Sequence, residues 1–101
     1  MRLIKEKTLA DCAATHPDAR PSLQSFVGIA RVANWRSMDD IVKHAPFAPS
    51  PVGDDRVVFN ISGNRYRLIC AIDFGRGVLY VKWFGRHADY DRIDAKTASQ
   101  F

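Results

Sequence analysis

Arg65 and Arg67 stand two positions apart in a run of strand-forming residues, so their side chains are expected on one face of a strand. Lys82 and Arg86 lie in or just beyond the next such run, with His87 and Tyr90 directly after. Arginine presents a planar fork that holds phosphate through two parallel hydrogen bonds. An unperturbed imidazole titrates near neutrality and can give or take a proton. A tyrosine can stack on a base or supply a phenol. Such a set could cleave RNA through its own 2′-hydroxyl. One group removes the 2′ proton, cations hold the charge of the phosphorane, and another group protonates the leaving 5′-oxygen.

That chemistry requires no metal ligands, and no cofactor is expected. Cys12 and Cys70 stand alone, and the reading for a reducing cytosol is two buried thiols. Cys12 and His16 share a helix face at i, i+4, but two ligands are half of a zinc site. Each candidate also has a plainer role. A lone histidine after a strand is commonly a surface or capping residue, Arg65 beside a turn can be solvated, and Tyr90 and Asp91 can be a buried phenol and a cap. Arg67 is harder to explain this way, because an arginine inside an apolar strand needs a reason.

The charge distribution supports an anionic partner. The chain of 101 residues carries a net charge of +4. Residues 1–55 hold seven basic and seven acidic residues, and residues 93–101 hold one of each. The whole excess therefore sits in residues 56–92, where seven basic residues face three aspartates. A basic concentration on one region suggests nucleic acid or an acidic protein. The apolar runs are too short to span a membrane, and the first residues lack the apolar core of a signal peptide, so a cytoplasmic protein is expected.

The elements that must position these residues follow from pattern and punctuation. With 47% hydrophobic and 26% charged residues, the chain reads as one globular domain over 1–101. Leu3 and Ile4 are a first strand or the lead-in to a helix. Thr8-Leu9-Ala10-Asp11 resembles a capping box, and the helix it opens ends at His16-Pro17. Asp18 can cap a second helix with Pro21 in its first turn, carrying the stripe Leu23, Phe26, Val27 and Ala30. Trp35 is expected in the core. Ser37 opens a third helix with Ile41 and Val42 inward. Pro46, Pro49 and Pro51 mark a loop. Three strands follow: 56–61, the alternating segment through Tyr66, Leu68, Cys70, Ile72 and Phe74, and Val78 to Phe84, which is apolar on both faces except at Lys82. A helical half followed by hairpins predicts an α+β fold, with N-terminal helices on an antiparallel sheet of three to four strands.

Two segments carry a family resemblance. Phe59-Asn60-Ile61-Ser62-Gly63-Asn64-Arg65-Tyr66-Arg67-Leu68-Ile69 and His87-Ala88-Asp89-Tyr90-Asp91 resemble, in order, the signatures of HigB-type toxins. His16-Pro17-Asp18-Ala19, Trp35 and the segment from Ser37 to Ile41 fit the same family. The resemblance implies a compact RelE-like α+β toxin that cuts mRNA, usually on the ribosome, and is silenced by a co-expressed helix-turn-helix antitoxin of the HigA type. It implies Arg67 and His87 as active-site residues, with Tyr90 stacking on or positioning the substrate. Asn64, Arg65, Lys82 and Arg86 complete the expected RNA-contacting set. Arg86 departs from the family pattern, which has threonine before the histidine. A non-catalytic RNA- or ribosome-binding regulator is the alternative that residues alone leave open.

Overall fold

A computed structural model describes residues 1–101. The chain runs through strand β1 (Arg2–Ile4), helix α1 (Glu6–Thr15), a 3-10 turn (Pro17–Ala19), helix α2 (Arg20–Val32) and helix α3 (Met38–His44). Strands β2 (Ser50–Val52), β3 (Arg56–Ile61), β4 (Tyr66–Asp73) and β5 (Val78–Arg86) follow, then the short helix α4 (His87–Tyr90). The sheet has five strands in the order β1-β5-β4-β3-β2.

The α+β class is as expected, but the sheet is larger than three to four strands and it is mixed. Leu3 and Ile4 do form a strand, and it pairs parallel to β5, with Leu3 opposite Leu79. The proline-rich loop contains β2, which pairs antiparallel with β3 at the edge of the sheet. An edge position suits Pro51, which has no N–H to donate.

Helix boundaries follow local chemistry with two corrections. Thr8 does not open α1, because Lys5, in the left-handed conformation, already stands at the cap. Asp18 caps nothing, since α2 begins after Ala19 with Pro21 in its first turn. Ser37 caps α3 as expected, its hydroxyl accepting from the Asp40 N–H at 3.1 Å. In α3 Ile41 is buried and Met38 packs against the core, while Val42 is exposed. Seven residues make two turns, and a single apolar face on so short a helix has room for few side chains.

The helices cover one face of the sheet. Leu23, Phe26 and Ala30 of α2 and Leu9 and Ala13 of α1 are buried there with Val57, Phe59, Leu68, Cys70, Leu79 and Val81. Phe59 is the centre of this layer, with ring centroids 5.0 Å from Phe26 and 6.3 Å from Trp35. The reverse face holds a second, smaller cluster of Val58, Ile69 and Trp83. It is roofed by the C-terminal segment through Tyr90, Ile93, Ala95 and Ala98. Arg56 fastens that roof by donating to the carbonyls of Ala95 and Ala98 at 3.1 and 2.7 Å. Past the end of β1, the N–H groups of Gln100 and Phe101 reach the Lys82 carbonyl at 2.9 and 3.3 Å, on a stretch of β5 that β1 leaves unpaired.

One irregularity sets the geometry of everything downstream. Ile69 pairs with Trp83 and Cys70 with Val81, so Lys82 is an extra residue on β5. Beyond it the pleat changes phase. Val81 and Phe84 lie on the helix side and Trp83 on the reverse, where plain alternation would put Val81 and Trp83 together. The Trp83 indole then folds across Gly85, where an added Cβ would stand 2.5 Å from the ring. Gly85→Ala should therefore displace the indole and cost about 1–3 kcal/mol. Denaturant unfolding followed by tryptophan fluorescence should show both the lost stability and a changed native emission. An unchanged midpoint and native spectrum would mean that the indole is free to move.

Candidate functional site

The β3–β4 turn, the end of β5 and the 3-10 turn before α2 meet at one end of the sheet. They enclose an open cleft of about 550 Å³ lined by Asp18, Asn64, Arg65, Tyr66, Arg86, His87 and Ala88. The backbone closes this corner itself: the His87 N–H donates to the Arg65 carbonyl at 2.9 Å. Ser62 at the turn adopts a positive φ of 53°, followed by Gly63 at 67°, and this tight reversal carries Asn64 and Arg65 to the rim.

Tyr66 forms the floor. It pairs with Arg86 across the β4–β5 ladder, so both side chains point to the helix side. Its ring stacks on Phe84 at 5.3 Å and 13°, and lies 5.2 Å from His16. Its hydroxyl donates to Asp18 Oδ1 at 2.7 Å. Arg65 Nη1 reaches Asp18 Oδ2 at 3.4 Å, and Ser62 Oγ donates to the Asp18 carbonyl at 3.2 Å. The bond from Tyr66 holds the Asp18 carboxyl below its ordinary range, with Arg65 adding to the effect. The same bond holds the Tyr66 phenol above its ordinary range, helped by burial and opposed by Arg86.

His87 sits at the start of α4 with its Nε2 3.6 Å from Asp91 Oδ1 and its side chain 42% exposed. It can therefore exchange protons with a ligand in the cleft while a carboxylate stands behind it. No three side chains of His, Cys, Asp or Glu come together as a metal-ligand set, and Cys12 and His16 remain two.

The expected site residues thus divide. Asn64, Arg65, Arg86 and His87 line the cleft. Arg65 and Arg67 do not share a face, because Arg65 belongs to the turn ahead of the first ladder pair and swings toward Asp18. Arg67 lies on the reverse face between Asn60 and Gly85, and meets cleft residues through Asn64, whose Oδ1 accepts from its Nη2 at 2.5 Å, and through the Tyr66 carbonyl, which accepts from its Nη1 at 3.1 Å. Lys82 is the bulge residue, its ammonium 5.9 Å from the Tyr80 ring centre. Tyr90 packs on Trp83 at 6.2 Å between ring centres, under the C-terminal roof. Lys82 and Tyr90 therefore do not line the cleft. Sequence reasoning missed Asp18 and Tyr66 as cleft residues. A signal was present: a tyrosine in register with core residues has a hydroxyl that must find a partner.

The fold and the cleft define a small basic α+β protein with an open cleft at one end of its sheet that brings two arginines and a histidine together. Residues 19–93 match the family model described as HigB_toxin, the RelE-like toxic component of a toxin–antitoxin system. The chain belongs to that family, and membership implies a toxin role and an antitoxin partner. No curated protein matches the chain. No helix is long and apolar enough to cross a membrane.

The Asp18–Tyr66 bond predicts a pH dependence with two edges. Asp18 titrates lower in the fold than unfolded, so its contribution is present above about pH 4 and is lost as pH falls through its folded value. Tyr66 titrates higher in the fold, so its contribution is present below about pH 10 and is lost as pH rises further. The thermal midpoint of Asp18→Asn should fall below that of the native chain at neutral pH. Melting curves across pH should show the gap closing at both extremes. A gap that is constant from acid to alkali would refute the coupling.

Proposed function

We propose that this toxin is an mRNA endoribonuclease that acts on message engaged by the ribosome in the cytoplasm, through one domain spanning 1–101. The observation that carries the reading is the meeting of Arg65, Arg86 and His87 in one open cleft of a chain belonging to a RelE-like toxin family. Arg65 and Arg86 hold the scissile phosphate and the charge that builds on it. His87 moves one proton, either from the 2′-hydroxyl or to the departing 5′-oxygen, and solvent water in the open cleft moves the other. The 2′-oxygen bonds to phosphorus as the bond to the 5′-oxygen breaks, leaving a cyclic phosphate and a free 5′-hydroxyl. The protein supplies no metal to this step.

Arg67 fits a supporting role at the rim, where it fixes Asn64 and can meet an adjacent phosphate of a longer strand. Arg86, in place of the family's threonine, adds a second cation beside the histidine. Tyr90 acts through position, because its packing on Trp83 anchors the helix that begins at His87. Lys82, on the far side of the sheet from the cleft floor, suits a contact with ribosomal RNA. The silencing partner is a HigA-like helix-turn-helix antitoxin, and an acidic segment laid across the cleft would block it.

Expression without antitoxin should arrest growth, and mRNA from translating cells should show new 5′ ends by primer extension. His87→Ala should slow cutting about 10²–10⁴-fold, the usual share of a general acid or base. Arg67→Ala combined with His87→Ala should relieve the arrest at equal protein levels. An equally toxic double variant would sink this mechanism. Arrest without new 5′ ends would mean a non-catalytic RNA- or ribosome-binding regulator.

A further inference from the structure

Asp18 is the one carboxylate lining a cleft otherwise edged by two arginines and a histidine. A negative charge there opposes a phosphate ligand. Burial does not account for it either, since the Asp18 side chain is 47% exposed. Its placement is nevertheless fixed. Tyr66 holds Oδ1, Arg65 approaches Oδ2, and Tyr66 is itself immobilised by its stack on Phe84. A carboxylate has about four acceptor positions, and these two bonds leave about two of them open. The result is an acceptor-only group of preset orientation, facing a cleft that cations prepare for a sugar–phosphate chain.

We propose that Asp18 makes the cleft selective for guanine, by accepting the adjacent N1–H and N2–H of its Watson–Crick edge. This inference rests on the reading of the cleft as an RNA site. Single-stranded RNA offers that edge when a base is splayed from its neighbours. Guanine alone places two donors side by side there. Adenine and cytosine set one amino donor beside a ring acceptor, and uracil flanks its one N–H with two carbonyls. An aspartate is ionised at neutral pH and only accepts, so it cannot turn donor and welcome those other edges, and the bond from Tyr66 fixes the direction in which its open acceptor positions point.

Two measurements test this. New 5′ ends mapped in translating cells should show guanine enriched about tenfold or more at one fixed position relative to the cut. Asp18→Asn keeps a partner for Tyr66 but offers one acceptor and one donor, and Asp18→Ala offers neither. Whatever the loss in rate, the cuts that remain in either variant should no longer show the enrichment. Purified protein should bind a short 2′-O-methyl uridine oligonucleotide carrying one central guanosine about tenfold tighter than one carrying adenosine, cytidine or only uridine. In both variants binding of the uridine strand should persist, which also reports that they are folded, while the guanosine advantage disappears. Equal affinities for all four strands, or a guanine preference retained in both variants, would overturn the proposal. Guanine-selective binding without any cutting would support the proposal and overturn the nuclease reading instead. Binding of no strand, with no cutting, would overturn both.

Discussion

The extra residue at Lys82 is the constraint on which the rest of the molecule depends. Side chains on a strand alternate strictly, so one inserted residue exchanges faces for all that follow. Before the bulge, β5 sends Leu79 and Val81 into the helical core. After it, Phe84 and Arg86 take that side and Trp83 goes to the reverse. Without the shift, Trp83 would compete for the space under α1 and α2, and Arg86 would leave the Tyr66 side for the opposite one. The cationic cleft exists because Arg86 emerges beside Tyr66 rather than beside Arg67.

The same shift explains why both faces of a five-stranded sheet are covered in so small a protein. Trp83 on the reverse face requires apolar cover, and residues 90–98 supply it. Arg56 and Lys82, two of the basic residues in the charged stretch, are thereby drawn into holding that cover, one through its guanidinium and the other through its backbone carbonyl. The indole across Gly85 in turn fixes the strand end from which Arg86 and His87 leave. Packing on one face therefore sets the aim of side chains on the other.

At the cleft the balance of charge is finer than the net count of the segment. Arg65 is partly neutralised by Asp18, and His87 has Asp91 behind it, while Arg86 has no carboxylate within ion-pair distance. Arg86 is thus the most available cation of the cleft, at the position where the resemblance led one to expect threonine. Tyr66 and Asp18 hold the floor rigid, and rigidity of that kind lets fixed charges act on a ligand without reorganisation.

The sequence by itself determined the class and the chemistry at hand. The stripe of α2, the Ser37 cap, the β-branched runs of β3 to β5 and the concentration of positive charge are local properties, and local properties survive in a one-dimensional reading. The two signatures led to the family that residues 19–93 match. The parallel pairing of β1, the edge strand β2 and the C-terminal roof were not legible, because short segments draw their structure from partners distant in the chain. Nor was the grouping of the cleft. Alternation joined Arg65 to Arg67, whereas the turn sends Arg65 to Asp18 and the bulge brings Arg86 to Tyr66. Which face a strand residue occupies depends on register with its neighbours, and register is a property of the assembled sheet that only the tertiary structure decides.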